Sequence, residues 1–213
     1  MNFKKSDKFL LMILGIDIIF ILLTLLDIFP GLDFSNFAVQ YENLFAEKFQ
    51  YLKFIGIAII SLLLAIKSRS PNFLFFMLIP IYLFLDDSRR LHERFGTKIA
   101  SFLYQSSPND TLISNLRSQD IGEILYMSLI VIILLIIFLI SWKLSDSYDK
   151  NFLKKILKLF IIFGFFALFV DAIHQLSKGY MYILISAIED GGEMISMSFI
   201  AAYFFKYLKI RKI

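Results

Sequence analysis

Cysteine is absent from this 213-residue chain. That absence removes disulfides, thiolate-ligated zinc, iron–sulfur ligation and cysteine nucleophiles from consideration. It leaves the redox compartment open, because a protein without disulfides can face either side of a membrane. Histidine is almost as scarce, with two residues, so any imidazole chemistry rests on His92 and His174. Familiar catalytic signatures are also missing: the chain has no Gly-x-Ser-x-Gly elbow, no phosphate-binding loop and no His-Glu-x-x-His zinc motif.

What the chain has in abundance is apolar sequence. It is 58% hydrophobic with a mean hydropathy of +0.72, well above the apolar share of a soluble domain. Runs such as residues 121–142 reach the roughly 20 residues that a helix needs to cross a bilayer. The expectation is one all-α membrane domain over residues 1–213, a polytopic helical bundle without a separate soluble domain. The formal charge of +4 and pI near 9.1 do not point to nucleic acid, because the basic residues flank the apolar segments and read as membrane topology.

The pattern predicts about six transmembrane helices, near 9–29, 52–67, 72–91, 121–142, 153–175 and 181–205. The first follows Lys4, Lys5 and Lys8 as a signal peptide would. Asp27-Ile28-Phe29-Pro30 offers no small-residue cleavage site, so the segment reads as a retained span. The third has 13 unbroken apolar residues (73–85) and crosses only if the helix continues through Asp86–Leu91. Lys67 and Arg69, the run from Lys143 to Lys158, and Lys206, Lys209, Arg211 and Lys212 fall on the side of the N-terminus. The positive-inside rule makes that side, and both termini, cytoplasmic. The opposite side carries Asp33, Glu42 and Glu47 against Lys48. It also carries Arg89, Arg90, Arg94, Lys98 and Arg117, which read as neutralising the acids around them. Residues 95–104 suit a short amphipathic helix on the outer surface, and 106–120 a polar, mobile outer loop.

Three apolar segments hold ionisable groups: Asp86-Asp87-Ser88-Arg89-Arg90-Leu91-His92-Glu93, Asp171-Ala-Ile-His174, and Glu189-Asp190-Gly191-Gly192-Glu193. Such groups are expensive at membrane depth, face the bundle interior and mark functional sites. In the six-span arrangement all three reach the outer third of the bundle; the last lies roughly 12 Å into its span at about 1.5 Å per residue. Asp27, Asp120 and Glu123 lie at outer helix ends nearby. Asp171 and His174 share a helix face at i,i+3, and Glu189 and Glu193 share one at i,i+4, with Asp190 on its edge. A continuous helix through 86–93 would put Ser88 and His92 on one face. On another face Asp86, Arg89, Arg90 and Glu93 would neutralise one another.

Two imidazoles and several carboxylates from three helices suit a divalent metal. Carboxylate-bridged di-iron bundles use a similar inventory. Zinc also suits two imidazoles and a carboxylate with a position left for water. The expected metal ligands are His92, Asp171, His174, Glu193 and Asp87, with Glu189 as general base and Asp190 beside it in catalysis. A structural alternative pairs Glu189 and Glu193 with Arg89 and Arg90. Asp17 and the set Met181, Met194 and Met197 read as packing or satisfied polar sites. Gly191-Gly192 suits either close helix approach or a locally opened helix.

The residues Leu85-Asp86-Asp87-Ser88, Leu91-His92-Glu93-Arg94-Phe95-Gly96 and Glu189-Asp190-Gly191-Gly192-Glu193-Met194 resemble a pattern in uncharacterised bacterial multi-pass membrane proteins, a resemblance that brings no activity with it. In style the site is also similar to the alkaline ceramidase-like membrane hydrolases, which bind zinc through His and Asp inside a helical bundle. This chain lacks their paired His-x-x-x-His in the last helix. The resemblance implies an integral membrane protein of the bacterial inner membrane. Together with the residues, it sets the expectation of a metal-dependent hydrolase of lipid-like substrates, with membrane lipids as partners and an outward-facing site. The competing expectations are a cation- or proton-handling protein and an accessory subunit whose charges only join helices.

Overall fold

The computed structural model describes residues 3–27, 29, 32–39, 44–70, 72–104, 111–113 and 116–210. Apart from one small hairpin, the ordered elements are helical: α1 (Phe3–Leu26), α2 (Phe45–Ser68), α3 (Asn72–Arg89), α4 (Leu91–Tyr104), α5 (Ser118–Leu144), α6 (Ser147–Gly164), α7 (Asp171–Leu176) and α8 (Tyr180–Ile210). The hairpin pairs β1 (Thr111–Ile113) antiparallel with β2 (Leu116–Arg117) between α4 and α5. Residues 105–110, 114 and 115 of the polar loop expected at 106–120 lie outside the described residues, as do Glu42, Arg211 and Lys212.

Four helical stretches are long and apolar enough to cross a membrane: Ser6–Leu26, Phe45–Ser68, Ser118–Leu144 and Asp149–His174. Their outward faces agree with that composition. Along α5, Leu129, Ile132 and Ile136 are each at least half exposed, an arrangement that water would penalise as a large apolar patch.

The core forms where α8 packs against α1, α2 and α6. Phe54, Ile57 and Leu64 of α2 meet Phe152 and Ile156 of α6 and Met197, Ile200 and Phe204 of α8. Phe152 is the hub of an aromatic group, with ring centroids 4.2 Å from Tyr207, 5.1 Å from Phe204 and 5.3 Å from Tyr203. Met194 and Met197 are buried in this packing, whereas Met181 is exposed. Polar side chains close the end of the bundle near Asp149. Tyr207 Oη donates to Asp149 Oδ1 at 2.7 Å, and Asn72 Nδ2 donates to Ser145 Oγ at 2.8 Å. Asp146 caps α6 by accepting from Asp149 N at 2.7 Å.

Three features differ from the sequence reading. Helix α2 begins at Phe45 rather than near 52, because its first two turns are amphipathic and line a cavity instead of lipid. The helix expected through 86–93 breaks: α3 ends at Arg89, Arg90 adopts φ 49°, and α4 starts anew at Leu91. The self-neutralising face of Asp86, Arg89, Arg90 and Glu93 therefore does not form as drawn. Arg90 lies 3.9 Å from Glu93, while Asp86 turns to His92. Finally, residues 165–170 form a π-helical turn between α6 and α7.

Candidate functional site

The break after Arg89 shapes one wall of the site. A left-handed residue other than glycine costs about 1–2 kcal/mol, and Asp86 offsets that cost by holding the start of α4. Its Oδ1 accepts from His92 N at 3.1 Å and from Tyr82 Oη at 3.1 Å, while Oδ2 stands 3.0 Å from His92 Nδ1. Burial disfavours the charged imidazole. The hydrogen bond and charge of Asp86, with Glu123 and Glu93 behind them, outweigh it and hold the His92 pKa above its ordinary value.

Helix α4 is pressed onto α5 at a glycine pair. A Cβ on Gly122 would lie 2.0 Å from the Gly96 carbonyl oxygen, and one on Gly96 would lie 2.5 Å from the Glu123 side chain. Phe95 stacks on Tyr126 at 5.1 Å beside this crossing. Arg117 then caps α5, donating from Nη2 to Asp120 Oδ1 at 2.7 Å while its backbone N–H donates to Oδ2 at 2.8 Å. Of the five basic residues Arg89, Arg90, Arg94, Lys98 and Arg117, Arg117 is the clearest case of a local acid being neutralised.

The opposite wall is built by the π turn and α8. π turns recur where a helix re-aims side chains at a functional site, and this one ends directly before Asp171. Its Phe166 packs so closely over Gly192 that a Cβ there would lie 2.3 Å from the ring. Helix α8 stays unbroken through Gly191-Gly192, so the pair serves close approach and not an opened helix. Asp171, His174 and Glu189 each present a ligand-type atom within 4.8 Å of the other two. His174 Nδ1 lies 2.6 Å from Glu189 Oε2, yet that carboxylate oxygen is buried without the geometry of a hydrogen bond, and so is His174 Nε2. The His174 ring rests on Tyr182, with centroids 4.2 Å apart.

Both walls face one cavity of about 830 Å³. His92, Asp87, Asp171, His174, Glu189, Asp190 and Glu193, the residues singled out in the sequence, all line it. They do not act as one group. Asp171, His174 and Glu189 form the only cluster of three or more metal-type donors among the described residues; Asp87, His92 and Glu193 line the cavity outside that cluster. Asp190 Oδ2 accepts from Ser186 Oγ at 2.8 Å. Among the described residues no arginine pairs with Glu189 or Glu193, so the interhelical arginine–glutamate bridges do not form. The lining holds nine carboxylates, these together with Glu47, Asp86, Glu93 and Glu123, against Arg90 and two histidines. Apolar side chains from α5, including Met127 and Val131, complete it.

A second ionic group lies deeper, and sequence reasoning found only half of it. Asp17, fully buried on α1, pairs with Lys53 of α2 at 2.8 Å. Lys53 Nζ also donates to the Met194 carbonyl at 2.8 Å and Ser198 Oγ at 3.4 Å, and Ser198 donates to the other Asp17 oxygen. The signal available was a lysine inside an apolar helix, Leu52-Lys53-Phe54, which needs a buried partner.

Residues 50–207 match a family described as a domain of unknown function, DUF8692. The match covers well over half of the chain, which therefore belongs to that family. It includes every cavity-lining helix from α3 onward and begins at Gln50, inside α2, so that the lining residues Ala46 and Glu47 fall outside it. No curated protein and no solved structure matches the chain.

Proposed function

We propose that this protein is a membrane-embedded, metal-dependent hydrolase of lipid-like substrates. The observation that carries the reading is the Asp171–His174–Glu189 donor cluster, opening on a cavity with a large surplus of acids. Two ligand atoms on one tetrahedral zinc stand roughly 3.5 Å apart at bond lengths of about 2.0–2.2 Å. Side-chain shifts of about an ångström would bring these three to bonding distance. One imidazole and two carboxylates make a single donor set, which favours one zinc ion over a di-iron pair. Glu189 then serves as a ligand, and the general base passes to Glu193, one turn further along α8.

A divalent ion held by Asp171, His174 and Glu189 would supply Lewis acidity to the ester or amide carbonyl and to the attacking water, and Glu193 would accept that water's proton. The protonated Glu193 returns that proton to the leaving oxygen or nitrogen. The cavity suits an amphiphile, its polar group among the acids and its chain along Met127 and Val131.

Six spans complete the proposal: α1, α2, α3, α5, α6 with α7, and α8, with α4 lying along the outer side. Both termini are cytoplasmic, by the charge bias, and the site faces outward from the bacterial inner membrane. The acid surplus also favours a second reading, in which the carboxylates line a path for cations or protons. The test is incubation of purified, zinc-loaded protein with a mixed bacterial lipid extract, with released fatty acids measured by mass spectrometry. Release that is lost in His174→Ala and on chelation supports hydrolysis. No release, with cation flux into proteoliposomes that depends on Glu193, supports the second reading.

A further inference from the structure

At the end of the bundle remote from the donor cluster, a second cleft of about 390 Å³ lies over α8 between α1 and α6. Its chemistry is graded along all three helices. The polar lining comes from Ser6 and Asp7 of α1, Lys155 and Lys158 of α6, and Tyr203 and Lys206 of α8. The apolar lining comes from Leu10, Leu159, Phe199 and Ala202. Along each helix the polar residues come first from the basic end and the apolar ones follow. Phe199 sits two turns from Lys206, about 10 Å at 1.5 Å per residue.

Three lysines against one aspartate leave the polar end with a net positive charge. Lys155 and Lys158, at i,i+3, face the same side of α6. Lys155 is steadied over the Tyr203 ring at 5.8 Å, and Asp7 is engaged by Ser6 at 3.4 Å. The apolar end is open, with Phe199 41% exposed. A soluble anion would use only half of this cleft. An amphiphile with a phosphate head would use all of it, and basic pockets between helices on the basic side of a membrane hold such head groups.

We propose that this cleft binds an anionic phospholipid of the leaflet at the basic end of the bundle. The phosphate lies among Lys155, Lys158 and Lys206, and an acyl chain runs along Leu10, Leu159 and Phe199. The inference rests on membrane embedding and is independent of the metal site.

Native mass spectrometry of the detergent-solubilised full chain tests it, with dioleoyl phosphatidylglycerol, phosphatidylethanolamine and phosphatidylcholine added in turn, and with glycerol phosphate as the tail-less probe. The expected result is preferential retention of phosphatidylglycerol, weakened about thirtyfold by Lys155→Gln with Lys158→Gln, at roughly fivefold per lysine. Lys67→Gln, which lies outside the lining of this cleft, leaves retention unchanged. Circular dichroism shows whether the double variant keeps its helices; if it does not, Phe199→Glu blocks the chain's path and is read in its place. Equal retention of all three lipids overturns the proposal. So does glycerol phosphate binding as tightly as the lipid, or unchanged phosphatidylglycerol retention in folded variants.

Discussion

Two ionic groups sit inside the same apolar bundle and differ in how completely they are satisfied. Around Lys53, each charge has its partner: Asp17 takes both the lysine and Ser198, and the lysine's remaining contacts go to Ser198 and the Met194 carbonyl. Around His174, acids outnumber bases; Glu189 Oε2 meets His174 Nδ1 at 2.6 Å without hydrogen-bond geometry, and among the described residues the buried His174 Nε2 has no hydrogen-bond partner. Leaving a buried polar atom unmatched costs about 1–3 kcal/mol. In the proposed function, the atoms around His174 are the ones a bound metal would take up. The Lys53 group joins three helices, α1, α2 and α8, whereas the His174–Glu189 contact joins two, α7 and α8.

Breaking the satisfied group gives the largest effect. Lys53→Met strands Asp17 in the core and should cost about 3–5 kcal/mol, measured by denaturant unfolding in detergent. Lys53→Met combined with Asp17→Leu should recover most of it, since replacing a whole buried pair is often neutral. A double variant no better than the single one would mean that the pair contributes more than charge balance.

Next comes the wall that carries His92. Gly122→Ala drives a Cβ into the Gly96 carbonyl and should cost about 1–3 kcal/mol, the usual range for overpacking. It should also loosen α4 from α5, raising hydrogen exchange at residues 91–100. Unchanged stability and exchange would mean that α4 adjusts freely.

A smaller effect is tied to pH. His92 titrates above its ordinary value in the folded protein. The Asp86–His92 pair therefore stabilises fully below the unfolded histidine pKa of about 6.5, and this contribution fades as pH rises through the folded value. Unfolding followed from pH 5 to 9 should show that loss in the wild type and not in Asp86→Asn. Equal pH profiles would remove the pair's role. The smallest effect sharpens the contrast within the cavity: His92→Ala should leave bound metal unchanged, since its imidazole belongs to Asp86 and lies outside the donor cluster.

The helical class, the apolar stretches and the membership of one cavity were legible because hydropathy and the placement of rare charges in apolar sequence are local signals. Three things were not. The left-handed turn at Arg90 has no glycine or proline to announce it and depends on Asp86 reaching forward to the backbone of His92. The π turn before Asp171 lies in Phe-Phe-Ala-Leu-Phe-Val, which reads as plain α-helix, and its consequence depends on Phe166 meeting Gly192 from another span. The division of the acids into donors and bystanders is tertiary as well. Helical spacing joined Glu189 to Glu193, whereas packing joins Glu189 to His174.

The most direct test of the account is the metal content of protein purified without chelator, determined by elemental mass spectrometry for the wild type, His174→Ala, Glu189→Gln and His92→Ala. The account predicts about one divalent ion per chain in the wild type and in His92→Ala, and none in His174→Ala or Glu189→Gln while both remain folded. A wild type that stays empty after exposure to zinc, or a folded His174→Ala that keeps its metal, would contradict it.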